Sequence, residues 1–99
     1  MPLQIKHANG ITMPIIICDF CREEITDAKD GSYQFRGAET TGEVNDIFFT
    51  HEKCGRAFEK LDPDSLWGSV PLECLPIHLG NNLNLNLKEA QETVKRLEK

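Results

Sequence analysis

The chain has 99 residues and a formal net charge of −5, with 39 % hydrophobic and 27 % charged content that is ordinary for a soluble globular protein. That length suits one domain with a modest core rather than two domains, and the acidic balance argues against general binding to nucleic-acid phosphates. No apolar run approaches the roughly 18 residues of a membrane span, and Ile15 to Ile17, bracketed by Pro14 and Asp19, is too short for a secretory signal, so a cytoplasmic location is expected.

Leu3, Ile5 and Ile11 flank Asn9-Gly10, a turn dipeptide, and predict a small N-terminal hairpin. Ile15 to Ile17 then reads as a strand running into Cys18-Asp-Phe-Cys21. Asp27 to Gly31 is a turn. Ser32 to Arg36 alternates, with Tyr33 and Phe35 on one face, and predicts a strand. A polar loop over 37–42 leads to a second strand, Val44 to Thr50, with Ile47 and Phe49 on one face and Val44 and Phe48 on the other. The two strands form a hairpin.

His51-Glu-Lys-Cys54 follows directly and opens a predicted helix to Leu61, which Asp62-Pro63 terminates. Cys18, Cys21, His51 and Cys54 therefore make four soft or borderline ligands in two short pairs. Zn²⁺ takes such sets as a tetrahedron, at roughly 2.0–2.3 Å per bond. One structural Zn²⁺ is the expected cofactor. In a reducing compartment, cysteines read as metal ligands before disulfides. Two rivals stand beside zinc. Cys18 and Cys21 after an apolar strand have the local look of a thioredoxin-like dithiol, but that leaves His51 and Cys54 without a role. An iron–sulfur cluster more usually takes four cysteines.

Pro63 to Gly68 suggests one further helical turn, with Trp67 as a core plug. The alternation Asn82-Leu83-Asn84-Leu85-Asn86-Leu87 suggests an extended segment with its leucines facing inward. Asn86 then caps a final amphipathic helix over about 87–98, with Glu89 at the reciprocal capping position and Leu87, Ala90, Val94 and Leu97 on one stripe. Lys95, Arg96 and Lys99 suit the C-terminal end of its dipole. So short a helix must pack on something, and its own domain is the favoured support.

The order of strand, C-x2-C knuckle, hairpin and helix opening with H-x2-C resembles a treble-clef zinc finger. Phe48-Phe49-Thr50-His51-Glu52-Lys53-Cys54, with Cys18 and Cys21, resembles the first half of a LIM domain, over residues 15–60. The chain departs from that family in its 29-residue spacing from Cys21 to His51, in having no second C-x2-C after Cys54, and in carrying Arg22 where a glycine is common. The resemblance implies a treble-clef core held by the four ligands, and with the rest of the chain the expected fold is α+β: one domain spanning 1–99, with a zinc-binding core over 15–61 and a C-terminal buttress over 62–99.

Three cysteines and one histidine fill a zinc shell, leaving no position for water, so no catalytic residue is expected. The deaminase order of H-x-E before a C-x-x-C is absent, as are H-E-x-x-H, P-loop and G-x-S-x-G patterns. Glu23 and Glu24 read as a solvated pair. His7 and His78 read as isolated histidines, and Cys74 as a buried free thiol. The expected function is a protein-interaction module, not an enzyme. The alternatives are a nucleic-acid-binding finger using Arg22, Lys53, Arg56 and Lys60, and a thiol redox switch. No membrane partner is expected.

Overall fold

Asn9 and Gly10 both adopt positive φ (54° and 76°), the conformation that Asn and Gly reach at least cost and that a two-residue hairpin turn requires. They join β1 (Leu3–Ala8) to β2 (Ile11–Ile17) in an antiparallel ladder from Leu3↔Ile16 to Ala8↔Ile11. The computed structural model describes residues 3–37 and 45–97. The expected polar loop, beyond Gly37, and Val44 lie outside the described residues.

β2 continues into a six-residue loop and returns as the short β3 (Glu24–Ile25), with Ile16 opposite Ile25 and Ile17 opposite Glu24. This three-stranded sheet, in the order β1-β2-β3, holds the first ligand pair in its second connection. A 3-10 turn at Ala28–Asp30, capped by the Asp27 carboxylate on the Lys29 N–H at 2.9 Å, leads into the second sheet.

That sheet has the order β5-β4-β6: β4 (Gly31–Arg36) lies between β5 (Ile47–His51) and β6 (Trp67–Pro71), all antiparallel. The hairpin read from the sequence is thus present. Alternation gives the sheet two distinct faces. Tyr33 and Phe49 pair on one face and enter a core with Cys18, Ile25, Cys54 and Leu72. His51, two residues along from Phe49, shares that face. Gln34, Phe48, Thr50 and Trp67 occupy the other face. There Gln34 and Thr50, both fully buried, satisfy each other: the Thr50 hydroxyl donates to Gln34 Oε1 at 3.0 Å, and Gln34 Nε2 donates to the Ser32 hydroxyl at 3.0 Å.

α1 (Gly55–Glu59) covers this second face. Gly55 passes close above Gln34: a Cβ there would sit 3.0 Å from Gln34 Nε2. Phe58 packs with Phe48 and Trp67, the three ring centroids lying 5.3–6.0 Å apart. Arg36 lies over Phe48 and Trp67 and pairs with Asp62 at 2.8 Å. Trp67 therefore closes an aromatic cluster at the sheet edge, its indole N–H donating to the Asp62 carbonyl at 3.0 Å.

Four local expectations are corrected. The helix expected from His51 to Leu61 is shorter, a 3-10 turn at Glu52–Cys54 followed by five α-helical residues, because the tight turn aims Cys54 back at the first sheet. Trp67 and Gly68 are not helical but begin β6, which fills the open edge of β4. The Asn-Leu alternation is not a strand. Asn82 ends a second helix, α2 (Leu75–Asn82), which Pro76 starts within its first turn, and Asn84 turns the chain with φ 53°. Leu83, Leu85 and Leu87 are consequently exposed rather than inward. The last helix, α3 (Leu87–Leu97), forms where expected, with the Asn86 side chain accepting from Glu89 N–H at 3.1 Å, but none of its residues is buried, so it does not pack on the body of its own domain.

Candidate metal centre

The loop between β2 and β3 is closed by its own backbone. Cys18 N–H donates to the Glu23 carbonyl at 2.9 Å, and Arg22 N–H donates to the Cys18 carbonyl at 3.0 Å. Arg22 takes φ 67°, a left-handed position that glycine fills most easily. Asp19 ties the loop to β5: its N–H donates to the Phe49 carbonyl at 2.6 Å, and its carboxylate accepts from Phe49 N–H at 2.8 Å.

This geometry points three N–H groups at one sulfur. Those of Phe20, Cys21 and His51 each lie 3.4 Å from Cys18 Sγ. Three donors around a single sulfur suit a thiolate rather than a thiol. β5 delivers His51 at its last residue, and the 3-10 turn delivers Cys54. The ligand atoms of Cys18, Cys21, His51 and Cys54 all lie within 4.8 Å of one another. A tetrahedral zinc with bonds near 2.3 Å needs sulfurs about 3.8 Å apart, so the cluster is of the right size for one ion.

The histidine is also set for ligation. Cys21 Sγ lies 3.3 Å from His51 Nδ1, while His51 Nε2 lies 3.2 Å from the Glu24 carbonyl oxygen. A carbonyl only accepts, so Nε2 carries the proton and the Nδ1 lone pair faces the sulfurs. An outer carbonyl that fixes the tautomer is the usual companion of a metal-bound histidine. Cys18, His51 and Cys54 are buried and Cys21 is more open. All four cysteines of the chain are free thiols, so Cys18 and Cys21 are not joined. The chemistry of the set, three sulfurs and one imidazole nitrogen, fits one metal ion.

The two buried thiols ionise very differently. Burial opposes ionisation of Cys18, but the N–H groups of Cys21, His51 and Phe20 outweigh it and bring the thiol down to about 6 from its ordinary 9.0. Burial pushes Cys54 up to about 11, and negative charge on Cys18 adds to the rise. One thiolate thus forms readily and resists a second, a conflict that a bound cation removes. The thiolate is the metal-binding form, so protons compete with metal. Metal uptake at neutral pH is expected to release thiol protons, that of Cys54 among them, and affinity is expected to fall steeply as pH drops through about 6, where Cys18 is protonated. Calorimetric titration in two buffers of different ionisation enthalpy counts the protons released; an identical heat in both buffers would contradict this account.

The other side chains singled out in the sequence are not among the four clustered ligands. Arg22, Lys53, Arg56 and Lys60 are all exposed, with Glu52 and Glu59 interspersed on the same turn and helix. Cys74 is half-buried rather than buried. His78 Nδ1 lies 3.1 Å from the Tyr33 hydroxyl, and His7 Nδ1 lies 2.8 Å from the Thr12 hydroxyl, so both histidines have ordinary hydrogen-bond partners. Sequence reasoning missed the Glu24 carbonyl and the Asp19 carboxylate. The first is a backbone group with no residue signature, and the second reads as a loop aspartate until β5 is placed beside it. Among the described residues, no helix is long and apolar enough to cross a membrane. Comparison with protein families, with curated proteins and with solved structures returned no match for this chain.

Proposed function

We propose that the chain is a small zinc-binding protein whose Cys3His centre is structural, arranged as a treble clef, and that it acts as a protein-interaction module rather than an enzyme. The observation that carries the reading is the Cys18 sulfur, gathered by three N–H groups beside an imidazole whose tautomer is already chosen. Such a centre is held from four sides by protein and has no room for a reacting water once filled. Bound zinc would supply a cross-link between the two sheets, which otherwise meet over a small core. The knuckle, the β4–β5 hairpin and α1 are the pieces of a treble clef in the order that fold requires. A protein partner fits the net charge of −5, which opposes broad contact with phosphates.

The exposure of Arg22, Lys53, Arg56 and Lys60 favours a second reading, a nucleic-acid-binding finger. A thiol switch, in which oxidation of the cysteines ejects the metal, ranks third, because a closed thiolate site is shielded from oxidants. Titration of the zinc-loaded chain against mixed-sequence single- and double-stranded DNA, at about 50 and 200 mM salt, separates the first two. The interaction-module reading expects weak binding at low salt and none at the higher. Tight binding that falls with salt and is lost on replacing Lys53 and Arg56 by Ala would replace it with the second reading.

A further inference from the structure

β5 is an edge strand of its sheet, so one row of its backbone groups has no neighbouring strand to pair with. Phe49 and His51 share that row, since alternate residues of a strand turn their N–H and C=O the same way. The N–H and the carbonyl of Phe49 both go to Asp19, at 2.8 and 2.6 Å, and the N–H of His51 goes to Cys18 Sγ at 3.4 Å. Asp19 therefore stands where a strand would. Its main-chain N–H is the donor, and its carboxylate replaces the carbonyl acceptor.

An aspartate in a tight loop ordinarily accepts from an N–H two or three residues ahead of it. Here Cys18 Sγ takes the N–H groups of Phe20 and Cys21, and the Asp19 carboxylate reaches a residue 30 positions along the chain. The two ends of that reach matter. Asp19 directly follows Cys18, and Phe49 precedes His51 by two residues. The paired bonds thus join the loop that carries Cys18 and Cys21 to the strand that delivers His51 and, through the next turn, Cys54. Two further links between the halves, Cys18 Sγ with His51 N–H and Cys21 Sγ with His51 Nδ1, run through the ligand atoms themselves. Asp19 ties the halves through groups that an ion does not use.

We propose that Asp19 is the positioning residue of the metal centre, setting the register between the two ligand pairs so that their four donors converge on one ion. It acts through the backbone of Phe49 and is not one of the clustered ligands. This role rests on the reading of Cys18, Cys21, His51 and Cys54 as a metal centre. A bond to a backbone N–H needs an acceptor oxygen, not a negative charge. Because Phe49 is buried, water is a poor substitute when that oxygen is lost.

Titration of the full chain with zinc and with cobalt(II), in competition with a chromophoric chelator, tests this. Cobalt(II) takes the same tetrahedral donors, and its visible absorption bands report where they sit. Asp19→Ala is expected to lower affinity for both ions by about 10–100-fold, the usual effect of losing a group that orients a metal ligand. It should also shift and weaken the cobalt bands. Asp19→Asn keeps an acceptor oxygen in place and should recover most of the affinity and the wild-type bands. Asp19→Ser, whose oxygen sits one bond short, should fall between the two and is read instead if Asp19→Ala does not fold. Phe58→Ala is the control for lost stability alone: it loosens the opposite face of the sheet and should leave the cobalt bands unchanged at low temperature. Wild-type affinity and bands in Asp19→Ala or Asp19→Ser overturn the proposal, as does an Asp19→Asn variant as impaired as Asp19→Ala. Lost affinity with unchanged bands also overturns it, since Asp19 would then serve only the stability of the fold. A wild type that binds neither ion overturns the metal reading and this role with it, whereas cobalt bands that form in the wild type and survive loss of the Asp19 carboxylate overturn this role alone.

Discussion

Replacing Cys18 by serine is expected to abolish metal binding and unfold the chain. The side chain is fully buried, accepts three N–H groups and lies within 4.8 Å of the other three ligand atoms. A structural zinc contributes roughly 10–16 kcal/mol of apparent binding energy at neutral pH, comparable with or larger than the whole stability of an ordinary small domain. Little else is available to replace it here. The core cluster comprises Cys18, Ile25, Tyr33, Phe49, Cys54 and Leu72, so two of its members are themselves ligands. Serine offers a shorter and harder oxygen that reaches the ion poorly and suits the three donors less well. Far-ultraviolet circular dichroism and elemental analysis should show an unfolded, metal-free variant. Cys74→Ser is the matched control, since Cys74 is half-buried and lies outside the cluster. It should keep both fold and metal. A folded Cys18→Ser protein with full metal content would remove Cys18 from the site.

Phe58→Ala is expected to destabilise the metal-loaded protein by about 3–5 kcal/mol, the usual cost of deleting a buried aromatic side chain. Phe58 is 9 % exposed and bridges Phe48 and Trp67, at 5.3 and 5.5 Å between centroids. It is the main apolar anchor of α1 on the sheet face opposite the metal. Its loss uncovers both ring partners. Because a change of 1 kcal/mol moves the melting temperature of a domain this size by about 4–8 °C, a fall of more than about 12 °C should follow. Trp67 is the only tryptophan of the chain, so its fluorescence reports the same cluster directly. Metal content at low temperature should be unchanged, because His51 and Cys54 are placed by β5 and by the turn before α1. A shift of only a few degrees would mean that α1 is held through Cys54 alone.

The parts of this fold that were legible in the sequence are those whose signal is local. Cys18, Cys21, His51 and Cys54 announce themselves by spacing, and the structure brings all four together. Asn9-Gly10 selects its own turn. Tyr33 and Phe35, and Ile47 and Phe49, alternate so that each pair falls on one face of the sheet, and the strand register sets Tyr33 beside Phe49 and Phe35 beside Ile47. Asn86 caps α3 through a side-chain bond that needs no tertiary contact. What was illegible depends on partners distant in the chain. Trp67-Gly68-Ser69-Val70-Pro71 has little strand propensity of its own. It becomes β6 because β4 offers an open edge and because Trp67 finds Phe48, Phe58 and Arg36 there. Pro71 is tolerated at the end of an edge strand. The Asn-Leu run misled for a different reason. Perfect alternation suits a half-buried strand, but asparagine also accepts the left-handed conformation, and Asn84 uses it to turn the chain between two helices. The leucines then face outward.

The most direct test of the metal centre is X-ray absorption at the zinc edge on the purified, reduced, full-length protein. The account predicts one zinc per chain, with three sulfur neighbours at about 2.3 Å, one nitrogen at about 2.0–2.1 Å and no bound water. A folded chain that holds no zinc, or a zinc surrounded mainly by oxygen and nitrogen, would contradict it.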